Sequence, residues 1–219
     1  MTFKRRVIGL AKATHFGPML LVVSISLILS LTQLSFAKSI QIAIAIFAGQ
    51  CVVGWTNDLL DQPRDSAAGR IKKPLVSQAV SSQQLRIGIA IALTAAILLS
   101  FFGPLGIKGG LLHMLGLASA TMYNFGAKAT WFSPVPYAIS FGALPWAVYA
   151  AAGKHPPTWL FVDFILISLA FHFLNVIKDL EWDRTQLVMG LPQRIGTFWN
   201  LIIAVGLVLT SVCVSLILT

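Results

Sequence analysis

The sequence predicts an all-α, polytopic membrane bundle of about seven transmembrane helices, and three observations predict it. Hydrophobic residues fill 57% of the 219 positions and charged residues only 11%. Mean hydropathy is +0.82, more apolar surface than a water-soluble core can hide. Seven apolar stretches reach or approach the roughly 20 residues that a helix needs to cross a hydrocarbon core. Lipid offers no partner to an open backbone, so such stretches are expected to be helices.

The first stretch, His15–Leu34, is helix length and lacks a small-residue cleavage site, so it reads as a retained helix and not as a secretory signal. Ser39–Trp55 follows and carries Cys51; Leu85–Phe102 is preceded by Ser81 and Gln84 at capping-box spacing. Gly109–Phe125 contains His113, and Pro134–Ala152 is the fifth stretch. Thr158–Val176 holds His172, expected to be a buried, satisfied side chain, and Asp163 near its outer end, expected to face water; Phe198–Leu218 closes the series and contains Cys213. Neither cysteine has metal-ligand spacing, so both read as small packing residues. The whole of 1–219 is expected to form a single domain.

Charge bias orients the chain. With the N-terminus cytoplasmic, thirteen of the sixteen Lys and Arg residues fall inside, leaving Lys38, Lys108 and Lys154 outside. The expected location is the cell's inner or plasma membrane. A net charge of +9 favours anionic lipid heads and anionic substrates on the inner face; no nucleic-acid partner is expected.

Six of the seven carboxylates sit in two short patches, NDLLDQPRD at Asn57–Asp65 and DLEWD at Asp179–Asp183. Asn57, Asp61 and Asp65 are spaced i, i+4, i+8, and with Asp58 they share one broad helical face. Asp179 and Asp183 are likewise four apart. Like charges so placed repel, more so where water is scarce, so a cation is expected between them. Oxygen-only ligands select a hard ion, and Mg²⁺ takes one or two carboxylates while keeping waters and phosphate oxygens. Two patches facing each other would hold a diphosphate through bridging Mg²⁺. The expected metal set is Asn57, Asp58, Asp61, Asp65, Asp179 and Asp183, with Asp61 and Asp179 the carboxylates on which turnover depends. Asn57, Arg70, Lys73, Lys128 and Arg194 are the candidates for binding the diphosphate. A diphosphate beside so apolar a bundle implies an apolar tail, hence a prenyl diphosphate. Its departure would leave an allylic cation that an aromatic face stabilises. Tyr123 is the aromatic residue assigned to the site, with Lys128 beside it in sequence.

A weak internal repeat joins the two patches. Shifting the chain by 118 residues places Asn57, Asp61, Asp65 and Pro74 onto Asn175, Asp179, Asp183 and Pro192. That distance spans an even number of helices, as in parallel membrane repeats.

Three segments together resemble the UbiA-type intramembrane prenyltransferases. NDLLDQPRDSAAGRIKKPL is similar to the first signature of that family, and DLEWDRTQLVMGLPQRIG to the second. Between them, YNFGAKATWFSPVPYAISFGALP resembles its tyrosine-and-lysine segment. The resemblance implies a helical bundle around a cavity and Mg²⁺-dependent transfer of a prenyl group from a prenyl diphosphate to a lipophilic acceptor, aromatic acceptors included, with release into membrane lipid. It assigns Asn57, Asp58, Asp61, Asp65, Asp179 and Asp183 to the metal–diphosphate site and Lys73, Tyr123 and Lys128 to its surroundings.

Members of that family usually have nine spans, so against seven stretches here the resemblance leads one to expect a cavity with one wall missing, unnecessary, or supplied by a partner chain such as a second copy in a homo-oligomer. Two other activities compete. A membrane terpene cyclase would share the ionisation and let the cation close on its own chain, and a transport or lipid-binding protein would keep the site without turnover. The DGxxAR run of CDP-alcohol phosphotransferases is absent.

Overall fold

The computed structural model describes residues 3–218, and among them every regular element is helical. All seven expected stretches are helices. They are α2 (Phe16–Leu31), α3 (Phe36–Ala67), α4 (Ser82–Phe102), α5 (Gly106–Asn124), α6 (Val135–Ala151), α7 (Thr158–Ile177) and α9 (Leu191–Leu218). Two further helices, α1 (Phe3–Ala13) and α8 (Leu180–Thr185), lie outside those stretches. Both are too polar for a hydropathy reading to register.

By length and apolarity, four of the described helices can cross a membrane: α3, α4, α7 and α9; α2 makes a fifth if α1 is joined to it across a 68° bend. α6 is shorter, and α5 is diluted by Lys108, His113 and glycines. Within the apolar windows of α4, α7 and α9 only 22%, 28% and 11% of residues are buried. Outward faces so apolar need lipid.

The chain forms two compact units, Met1–Leu111 and Leu112–Thr219, divided within α5. In the first, α3 packs against α2 and α4, with α1 laid across the same end. α3 runs on beyond the expected Trp55, through the whole first acidic patch and past Pro63. A proline there forfeits one backbone bond and often kinks a helix. Its neighbourhood is held on both sides of the proline: Ser82 Oγ of α4 donates to Gln62 Oε1 at 2.8 Å, and within α3 Arg64 Nη2 lies 2.9 Å from Asp61 Oδ2. α4 begins with the expected capping box, Gln84 N donating to Ser81 Oγ at 3.2 Å and Ser81 N to Gln84 Oε1 at 3.0 Å.

At Gly54 the α3 backbone meets the break between α1 and α2, where a Cβ would stand 2.6 Å from the Thr14 carbonyl oxygen. Only a glycine permits that approach. A small core of Ala13, Leu75, Val80 and Leu85, with Leu10, Trp55 and Leu59 packed on it, seals the same end. Trp55 Nε1 donates to Leu10 O at 3.0 Å, fixing α1 to α3.

In the second unit α7 packs against α6 and α9, around Ala170, Phe173 and Ala204. Asp163 departs from expectation. It does not simply face water: it is half-buried and accepts hydrogen bonds from Ser211 Oγ, at 2.7 Å, and Ser215 Oγ, both on α9. Cys51 is buried and Cys213 exposed, both free thiols.

The 118-residue repeat extends beyond the acidic patches. Moved by that distance, α2 falls on 134–149, α3 on 154–185 and α4 on 200–220, against α6, α7 with α8, and α9. Each unit therefore has the same order: a helix, the acid-bearing helix, a polar connection and a closing apolar helix.

Candidate functional site

The first patch occupies the last turns of α3, and the connection after it folds back onto the carboxylates. Asp58, Asp61 and Asp65 are all buried, at 3%, 9% and 2% exposure. Burying an ionised carboxylate without a partner is prohibitive, and here each has a cation. Lys73 Nζ donates to Asp58 Oδ1 at 2.6 Å and lies 3.8 Å from Asp65 Oδ2; Arg70 Nη1 is 3.4 Å from Asp65 Oδ1 and Arg64 Nη2 is 2.9 Å from Asp61 Oδ2. Three carboxylates are thus matched by three cations from within α3 and its following loop. The expected residues Asn57, Asp58, Asp61, Asp65, Arg70 and Lys73 are brought together.

Sequence reasoning missed His15. Its Nε2 is 3.1 Å from Asp58 Oδ1 and 3.2 Å from Asn57 Nδ2. A single Nε2–H serves both neighbours only if the Asn57 amide presents its oxygen, an orientation assigned from the network. His15 has φ 54°, ψ 62°, a left-handed conformation costing roughly 1–2 kcal/mol for a residue with a Cβ. No spacing signal connects it to the patch; only the break between α1 and α2 brings it there. Asp58 Oδ2, by contrast, is buried with no hydrogen-bond partner among the described residues.

The second patch is built differently. α7 ends at Ile177, so Asp179 is the exposed N-cap of the short α8 and Asp183 lies within it, half-buried. Asp183 Oδ2 accepts from Gln193 Nε2 at 2.9 Å, while Arg184 Nε donates to Gln193 O at 2.8 Å. Gln193, buried just after Pro192, was another residue without a sequence signal. Arg194 is exposed, donates through Nε to Met189 O at 2.7 Å, and holds its guanidinium 4.8 Å from the Trp131 ring centroid. Lys128 lies in a single 3₁₀ turn, Ala127–Ala129, half-buried. Gly190 is the reason that turn can pack against the connection before α9: a Cβ there would fall 2.3 Å from Lys128 O.

Tyr123, at the end of α5, stands edge-on to Tyr137 at 5.4 Å and to His172 at 5.8 Å. His172 is fully buried as expected, 3.3 Å from Ser133 Oγ through Nε2, while its Nδ1 has no partner among the described residues.

Among the described residues no three His, Cys, Asp or Glu side chains gather closely enough to hold a metal ion alone. Mg²⁺ does not need such a cage, since it commonly takes one or two carboxylates and completes its shell with water and substrate phosphate. The oxygen-only donors and the unpartnered Asp58 Oδ2 fit an ion carried in with an anionic substrate.

Comparison with known proteins follows the same lines. A UbiA homologue from Archaeoglobus fulgidus bound to DMAPP and Mg²⁺ is 13% identical with a TM-score of 0.83, matching 95% of this chain and 77% of that one. The same homologue bound to GPP and Mg²⁺ gives a TM-score of 0.82 at 13% identity over 94% of this chain and 76% of that one. A digeranylgeranylglyceryl phosphate synthase structure is 20% identical with a TM-score of 0.73, over 96% of this chain and 76% of that one. At such identities the likeness carries the fold. No curated protein matches the chain in sequence. The profile of one family does match, over residues 14–219, and the chain belongs to the UbiA prenyltransferase family.

Proposed function

We propose that this protein is a Mg²⁺-dependent integral membrane prenyltransferase that moves a prenyl group from a prenyl diphosphate to a lipophilic acceptor, with the N-terminus and both acidic patches on the cytoplasmic side. The observation that carries the reading is the state of Asp58, whose Oδ1 is fixed by Lys73 at 2.6 Å and His15 at 3.1 Å while the buried Oδ2 has no partner among the described residues. An unpaired buried acceptor costs about 1–3 kcal/mol, a cost understandable where a ligand completes the site. The Archaeoglobus homologue that shares the fold binds GPP or DMAPP with Mg²⁺, which supports the same pairing here.

When bound, Mg²⁺ would neutralise the diphosphate and make it a better leaving group. Asp58, Asp61, Asp65, Asp179 and Asp183 are assigned to holding it, as is Asn57. The cations that neutralise the buried carboxylates, Lys73 and Arg70, are assigned to the phosphate oxygens, as are Lys128 and Arg194. Charge balance favours this exchange, since an incoming anion releases Lys73 from a carboxylate that then faces a metal ion. Tyr123, with Tyr137 and His172 around it, offers π-faces and little water to an allylic cation.

The test is diphosphate release by the purified protein given geranyl diphosphate, Mg²⁺ and a lipid extract as acceptor source. Release that disappears in Asp61→Ala and in Asp179→Ala supports the assignment; undiminished release in both sinks it. A cyclic hydrocarbon formed without acceptor would identify a cyclase instead.

A further inference from the structure

From a cavity between α1 and the connection that follows α3, we infer a binding site for the phosphate-bearing head of an anionic phospholipid. The cavity measures about 490 Å³. Lys4, Arg5 and Lys12 of α1 and Lys72 of the connection line it, with no carboxylate among its lining residues. Four cations around one space repel one another unless an anion sits among them, and none of these four is paired with any of the three buried carboxylates of the acidic patch. Lys73, the next residue along, is the one turned to Asp58.

The walls are apolar where a lipid would be apolar. Ile8 and Ile71 line the same space and are 45% and 75% exposed. α1 leaves the apolar α2 at 68°, the attitude of a helix lying along a membrane surface, and Ile8 shares the cavity face with Lys4 and Lys12, four residues to either side. Arg5 Nη2 donates to Ser77 O at 3.1 Å, so α1 and the connection form one rim. Basic pockets at the ends of spanning helices select anionic head groups in this way. The inference is independent of prenyl transfer.

The experiment uses the full-length protein in nanodiscs of phosphatidylcholine doped with phosphatidylglycerol, with native mass spectrometry counting the lipids retained on release. The protein should retain phosphatidylglycerol preferentially, and Lys12→Gln with Lys72→Gln should lower that preference roughly fivefold per lysine, the equivalent of about 1 kcal/mol per cation near an anionic head. Lys38→Gln with Lys108→Gln, outside the cavity, should leave it unchanged. Because the cavity variants could disturb α1, the unmodified protein supplies a second reading: its preference should fall as salt rises. Equal retention of the two lipids by the unmodified protein overturns the inference, as does a preference unmoved by the cavity variants. Displacement of the retained lipid by inorganic phosphate alone would make this a free-phosphate site and likewise overturn it.

Discussion

His15 Nε2 lies 3.1 Å from Asp58 Oδ1, although the two residues are 43 positions apart. His15 pays for that contact with a left-handed backbone, and the packing of Thr14 against Gly54 holds it there. Strain of this kind concentrates where a side chain must be aimed. Asp58 is thereby held from two directions, by the break before α2 and by the loop after α3.

Removing the imidazole leaves Asp58 to Lys73 alone. His15→Ala should cost about 1.5–3 kcal/mol, the usual worth of a hydrogen bond to a charged group, visible as a lower unfolding temperature in detergent. His15→Gln, which keeps an N–H donor, should recover part of it. An unchanged melting curve for the alanine variant would detach His15 from the site.

Lys73 is the less exposed of the two partners, 24% against 37% for His15, and it is assigned a second role with substrate. Lys73→Met should lower stability and raise the KM for prenyl diphosphate about tenfold, equivalent to ~1.4 kcal/mol of lost binding; Lys73→Arg should keep most of the stability but fit the phosphate less well. Steady-state kinetics beside thermal unfolding separates the two effects.

Metal dependence divides the acids into two classes. Chelation should abolish diphosphate release and added Mg²⁺ should restore it. Asp61→Asn and Asp179→Asn should each lower turnover at least 100-fold, roughly 2.7 kcal/mol of barrier. Asp163→Asn, remote from both patches in sequence, should turn over normally. Loss of turnover in Asp163→Asn to the same degree would erase the distinction.

Much of this fold was legible because lipid imposes a simple rule: apolar length becomes helix. The seven stretches and the capping box at Ser81 followed from residue type and spacing alone. α1 was not legible, since FKRRVIGLAKA is too charged to read as a span and owes its position to packing on Leu75 and Val80. The spacing of Asn57, Asp61 and Asp65 did announce one helical face, yet of the partners that hold it only Arg64 lies on α3; Arg70 and Lys73 arrive from the loop after α3, and His15 from the turn before α2. Those are tertiary facts. Gln193 is of the same kind: an amide beside a proline carries no signal until the chain folds it onto Asp183.

Gly54 gives a test of how tightly the first patch depends on the helix break. An added methyl would press on the Thr14 backbone, which cannot swing aside as a side chain can. Gly54→Ala should therefore destabilise by about 1–3 kcal/mol, as overpacking does. It should also weaken prenyl diphosphate binding, because His15 follows Thr14. Binding measured by calorimetry should fall even where the protein remains folded.

The bond between α7 and α9 should behave as structure without chemistry. Asp163 receives hydroxyls from Ser211 and Ser215, one turn apart on α9, and so accepts two charge-assisted bonds. Breaking one bond leaves the other, so Ser211→Ala and Ser215→Ala should each cost modestly, about 1 kcal/mol. The double variant leaves the half-buried carboxylate without either donor, and its cost should exceed the sum of the singles. Asp163→Ala removes the charge as well as the acceptor and should be milder than the double serine variant, because no unpaired carboxylate remains. That order, read from unfolding in detergent with turnover unchanged throughout, identifies a clamp. The reverse order would mean that Asp163 keeps its solvation by water and that the serines merely lie beside it.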